Sequence, residues 1–72
     1  MDTISLLYVW KEGVDLLPII QDRYPLATIT DADNSSYRYI NTGVLSDNWT
    51  EDDFNYFNGL QSQELIGLWY IA

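Results

Sequence analysis

Carboxylates are the groups with which this chain could do chemistry. It holds eleven Asp and Glu against three Lys and Arg, with no histidine and no cysteine, in 72 residues. Residues 1–30 carry four of these acids against Lys11 and Arg23, while residues 31–72 carry seven against Arg38 alone. A field of one sign repels nucleic acid and anionic membrane and attracts basic surfaces. The densest stretch is Ser46-Asp-Asn-Trp-Thr-Glu-Asp-Asp-Phe-Asn-Tyr-Phe57, where Asp47, Glu51, Asp52 and Asp53 interleave with Trp49 and Tyr56. Such a mixture suits a recognition surface, in which carboxylates steer a basic partner and an aromatic side chain anchors it. In its sharpest form the surface imitates nucleic acid, because a duplex strand presents a phosphate about every 3.4 Å. Asp31 and Asp33, if extended, stand about 7 Å apart on one face, and Asp47 with the acidic segment behind it would continue the row.

The same acids also have a local explanation. Thr50-Glu-Asp-Asp53 matches the capping box, and acidic residues in a first helical turn are favoured by the helix dipole. Three consecutive helical residues also fan over roughly 200°, so Glu51, Asp52 and Asp53 cannot all face one groove.

Other chemistry has little to stand on. Asp31-Ala-Asp-Asn-Ser-Ser36 opens like a calcium loop, but Ser36 and Thr42 stand where that loop needs glycine and glutamate. The segment reads as a hairpin turn. Without cysteine there is no thiolate nucleophile, disulfide or Cys-type metal site. The four glycines are scattered and form no phosphate loop. No enzyme activity, metal or cofactor is expected. Tyr37 and Tyr39 on one strand invite comparison with RNA-binding sheets, yet the cations that phosphate contact requires are missing. Direct binding of nucleic acid is not expected either.

The elements that must position these residues follow from periodicity. Ile4, Leu6, Tyr8 and Trp10 alternate on one face of residues 3–10, and Leu7 and Val9 make the other face half apolar, as in a central strand. Val14, Leu17, Ile20 and Tyr24, with Leu16, form a helical stripe. Asp15 is its candidate N-cap, Pro18 falls in the first turn and Pro25 stops it, which predicts a helix over about 15–23. Residues 26–30 and 37–41 read as strands joined by the turn at 31–36. A second helix follows Thr50, with Phe54, Phe57 and Leu60 as its stripe and Gly59 as its expected end. Residues 64–71 read as a last strand. The order strand, helix, strand, strand, helix, strand predicts one α+β domain over residues 1–72. It would be a small ferredoxin-like (split βαβ) four-stranded antiparallel sheet with two helices on one face.

That arrangement leaves apolar side chains uncovered at an edge strand. Leu68, Trp69 and Tyr70 are therefore expected to mediate self-association, most simply as a twofold homodimer. The longest nearly uninterrupted apolar stretch, Leu65 to Ala72, is far short of the roughly 20 residues a membrane span needs. The chain also opens on Met-Asp-Thr without a basic signal region, so a soluble cytoplasmic protein is expected.

In being very short, strongly acidic, aromatic-rich and without catalytic motifs, the chain is similar to small phage-encoded inhibitors of host defence, including anti-restriction and anti-CRISPR proteins. The resemblance implies a DNA mimic that occludes the basic surface of a nucleic-acid-handling protein. Asp31, Asp33, Asp47, Trp49, Glu51, Asp52, Asp53 and Tyr56 would make that contact. The competing expectation is a self-assembling structural or adaptor module that uses its apolar strands and keeps its acids for solubility.

Overall fold

Strand β1 (Thr3–Trp10) occupies the whole of the first period-two segment. In this computed structural model, which describes residues 2–72, Leu6 and Tyr8 are sealed in the core and Ile4 and Trp10 flank them. Leu7 and Val9 lie half-buried on the opposite face. The chain then turns through Gly13, whose φ of +83° favours glycine.

Helix α1 (Leu16–Gln21) is shorter than the stripe suggests. Asp15 stands at its N-cap position, but its side chain makes no capping bond. The amides of Arg23 and Tyr24 both donate to the Ile20 carbonyl, which winds the chain out of the helix before Pro25. Leu16, Ile20 and Tyr24 nevertheless fall on the buried side, as the stripe requires.

Strand β2 (Thr28–Asp31) is short, and β3 (Tyr37–Leu45) runs four residues beyond the expected end at 41. It continues because the strand bulges instead of breaking: Thr3 pairs with Leu45 but Ser5 with Asn41, which leaves extra residues on β3. The buried Thr42 hydroxyl donates to the Ile4 carbonyl at 2.8 Å and accepts from the Val44 amide at 3.1 Å, bridging the interrupted ladder. Gly43 takes a φ of +74°, and a Cβ there would lie 2.7 Å from that of Leu26.

A 3-10 turn (Ser46–Asn48) leads into α2 (Glu51–Ser62). This helix passes through Gly59 and ends three residues later. Leu65 N–H donates to the Leu60 carbonyl and Glu64 N–H to that of Gln61, each at 3.0 Å, the paired bonds of a Schellman motif. Its left-handed position is taken by Glu64, with φ +62°, rather than by glycine. Strand β4 (Ile66–Ile71) follows directly.

The sheet has the order β2-β3-β1-β4 with every neighbouring pair antiparallel. The fold is thus α+β, an open four-stranded antiparallel sheet with two helices, as expected at that level. Leu6, Tyr8, Ile40, Ile66 and Trp69 from the sheet join Leu16 and Ile20 of α1 and Phe57 and Leu60 of α2 in one core. Among the described residues no helix is long and apolar enough to cross a membrane.

Glu64 holds a conformation that costs an L-residue roughly 1–2 kcal/mol, and only part of the relief is lost to glycine's flexibility in the unfolded chain. Glu64→Gly should therefore raise unfolding stability by about 0.5–1 kcal/mol in urea denaturation.

Candidate interaction surfaces

The acidic residues gather at the two ends of the sheet, which this fold sets apart. One pole lies where β1 starts, β3 finishes and α2 begins; the other holds the β2–β3 turn and the end of β1. Thr3 pairs with Leu45 at the first, and Val9 with Tyr37 at the second. Eight residues of strand separate them, roughly 23 Å. Asp47, Trp49, Glu51, Asp52, Asp53 and Tyr56 belong to the first pole, Asp31 and Asp33 to the second. The row expected from Asp31 through Asp53 is therefore not continuous. The loop between β3 and α2 turns away from the hairpin instead of toward it.

Asp53 differs from the other acids. It is 8% exposed, and both of its oxygens are engaged within the chain. Oδ2 accepts from the Thr50 amide at 3.0 Å and the Thr50 hydroxyl at 3.1 Å. Oδ1 accepts from the Tyr24 hydroxyl at 2.8 Å and from Arg23 Nη2 at 3.4 Å. Burial alone would raise the carboxyl pKa. The bonds from Thr50 and Tyr24, together with the Arg23 charge, outweigh it and hold the group below its ordinary value. The same cluster pushes the Tyr24 hydroxyl well up, through burial first and the Asp53 bond second. Asp53 consequently locks the start of α2 to the end of α1, and it leaves the set of partner-facing residues.

Arg23 is used up there too. Its Nε donates to the Tyr24 hydroxyl oxygen at 3.0 Å, and its guanidinium lies 5.1 Å above the Tyr56 ring. Burial raises the Tyr56 pKa, with Arg23 opposing. Around this neutral cluster stand Asp47, Glu51 and Asp52, all exposed. Asp2 joins them, because the Ser46 amide donates to its carbonyl at 3.0 Å, and so does Asp22 at the end of α1. These last two were missed from the sequence: only the pairing of the first and third strands and the return of α1 bring them here. Trp49 is half-buried and stacks on Phe57, with centroids 6.0 Å apart, so the core uses most of its surface.

At the second pole Asp31 and Asp33 border an open recess of about 320 Å³ with Trp10, Ser35 and Arg38. Arg38 lies 4.3 Å over the Trp10 ring and 3.7 Å from Asp31. Trp10 Nε1 donates to the Ser35 carbonyl at 2.7 Å, and Asn34 Oδ1 caps the Ser36 amide at 2.8 Å. These bonds make 31–36 a hairpin turn. Among the described residues no three acidic side chains converge as metal ligands would.

Of the expected self-association residues, Leu68 and Tyr70 are 59% and 47% exposed. Trp69 is not available for such a contact. It pairs with Tyr8 of β1, points into the core, packs on Phe54 and Phe57, and donates Nε1–H to Asn58 at 3.2 Å. No family model, curated protein or solved structure matches this chain.

Replacing Asp53 by Asn should cost about 1–3 kcal/mol at neutral pH, because it sets an amide against the Thr50 donors and the buried Tyr24 hydroxyl. A carboxyl whose pKa is lowered on folding stabilises above its unfolded value, and that stabilisation is lost as pH falls through its folded value. The difference between wild type and Asp53→Asn should thus be full at neutral pH and shrink below about pH 4, as followed by urea unfolding at stepped pH.

Proposed function

We propose that this chain acts by binding, as a stoichiometric inhibitor that occludes a basic, nucleic-acid-binding surface of a partner protein. One observation carries this reading. At the pole that holds the start of α2, the sole cation among the described residues, Arg23, is already bound to Asp53, so Asp2, Asp22, Asp47, Glu51 and Asp52 stand exposed with no side-chain ion pair there. Such a cluster presents fixed negative charge in place of phosphates to a groove lined by Arg and Lys. The contact is one pole wide, a short stretch of backbone rather than a long duplex. Asp31 and Asp33 face a different direction and play a smaller part. This is the mode of anti-restriction and anti-CRISPR inhibitors, and a cytoplasmic setting goes with it.

For the topology we take the ferredoxin-like, split βαβ assignment. The element order and the antiparallel β2-β3-β1-β4 sheet support it. A second reading, a self-assembling module built on the sheet, is favoured by the face that the helices leave open.

The test is a pull-down from nuclease-treated lysate, eluted in rising salt. Neutralising Asp47, Glu51 and Asp52 together (to Asn, Gln and Asn) should weaken capture of a nucleic-acid-handling protein by about 10- to 100-fold. The pair Asp31→Asn and Asp33→Asn should change it much less. Capture that ignores the triple change, in a variant with unaltered circular dichroism, sinks the reading.

A further inference from the structure

Leu7, Asp33, Tyr37, Tyr39 and Tyr70 line a second open recess, of about 270 Å³, on the sheet face away from the helices. Strand pairing builds its floor. Leu7 of β1 lies between Tyr39 of β3 and Tyr70 of β4, with Tyr37 two residues along β3 on the same face. The β2–β3 turn brings Asp33 to the rim, where it also borders the recess beside Trp10. Tyr39 and Tyr70 are 38% and 47% exposed. Among the described residues, none of the three tyrosine rings is paired with another aromatic side chain. Lys11 and Arg38 are the cations at this end of the sheet, and neither forms an ion pair with Asp33.

The recess beside Trp10 shows what such a combination holds. There the chain's own Arg38 lies 4.3 Å over the Trp10 ring and 3.7 Å from the Asp31 carboxylate. Arg38 pairs with Tyr8, so it belongs to the face opposite Tyr39. The open-face recess offers the same two partners, aromatic rings and a carboxylate, without the cation. We propose that it is a binding site for one arginine side chain of a protein partner, whose guanidinium lies against the tyrosine rings and donates to Asp33. Chemistry selects this occupant. A guanidinium is planar and weakly hydrated, so it stacks on a partly wet ring and forks to a carboxylate, whereas a lysine ammonium holds its water. A quaternary ammonium would use the rings but has no N–H for Asp33. An anionic ligand is repelled by a chain of net charge −8. The volume lies below the roughly 300–1,000 Å³ that encloses a whole small molecule. An open recess of this size suits a head group that arrives on a tether, with its aliphatic stem over Leu7.

The site lies at the pole opposite the start of α2 and does not rest on the acidic cluster there. Its test is an amide NMR titration of the whole chain with a short peptide, blocked at both ends, that carries one arginine between glycines. The same peptide with lysine is the comparison. The arginine peptide should bind with a Kd on the order of 1–10 mM and shift the signals of Leu7, Tyr39 and Tyr70 most. The lysine peptide should bind at least about 3-fold more weakly. Asp33→Asn and Tyr39→Leu should each weaken the arginine peptide by about 3- to 10-fold, as loss of one charge-assisted bond or one partly exposed ring contact would. Tyr70→Leu, at an exposed position on the edge strand β4, is the second ring variant should Tyr39→Leu not fold. Shifts centred on Asp47, Glu51 and Asp52 would mean attraction to net charge alone and overturn the proposal. So would equal binding of the two peptides, or an affinity indifferent to both the carboxylate and the ring substitutions.

Discussion

Strand β1 is apolar on both faces and hydrogen-bonded on both sides, and the rest of the molecule is arranged around that constraint. Its inner face, Leu6 and Tyr8, requires a cover, which the two helices provide. Its flanks need partners, so β3 and β4 take the positions beside it and β2 is pushed to the far edge. Its outer face, Leu7 and Val9, has no helix over it. In a chain this short there is no third layer to spend, because a small domain buries only about 60% of its unfolded surface. The uncovered tyrosine and aliphatic face is a direct consequence of a central strand with two apolar sides in a two-layer protein.

With so thin a core, the ends of the helices need polar fastening, and Asp53 supplies it. Its carboxylate satisfies the Thr50 amide at the start of α2 and takes the Tyr24 hydroxyl that follows α1. The Arg23 partner is 40% exposed in its side chain, so its ion pair adds less than the hydrogen bonds from Thr50 and the buried Tyr24. The cluster also commits a partly exposed cation to an internal acid. Neutralising one acid inside the fold therefore leaves its neighbours outside without a counter-charge, and structural and surface electrostatics are coupled through Arg23.

Local patterns in the sequence were legible where a single period or motif controls the outcome. The alternation over 3–10, the turn at 31–36 and the capping box at Thr50 all stand where their residues place them. What was not legible depended on tertiary choices. Gly59 looked like a helix end, but the Leu60 and Leu65 contacts with the core carry α2 further and force Glu64 into the left-handed region. The stripe read as Phe54, Phe57 and Leu60 is really Asp53, Phe57 and Leu60, because a carboxylate with four donors around it can be buried where a phenyl ring is left 47% exposed. Trp69 looked available on an apolar edge strand, yet its register against Tyr8 turns it inward. The acidic row failed for the same reason: spacing along a chain says nothing of which end of a sheet a loop will reach.

The distribution of charge follows from the layering as much as from any partner. Strand positions facing the core or the open face are apolar or neutral, apart from Arg38, which folds over Trp10, and Asp31 at the strand end. The loops and helix ends are where the remaining charges can go, and an alternating α+β chain puts all of these at the two poles. Concentrating acids there needs no special pressure. Leaving the first pole without a free cation among the described residues does, because a lysine at any exposed loop position would relieve the mutual repulsion of five carboxylates at little cost to the fold. That unrelieved repulsion, rather than the number of acids, is the property that points outward to a basic surface.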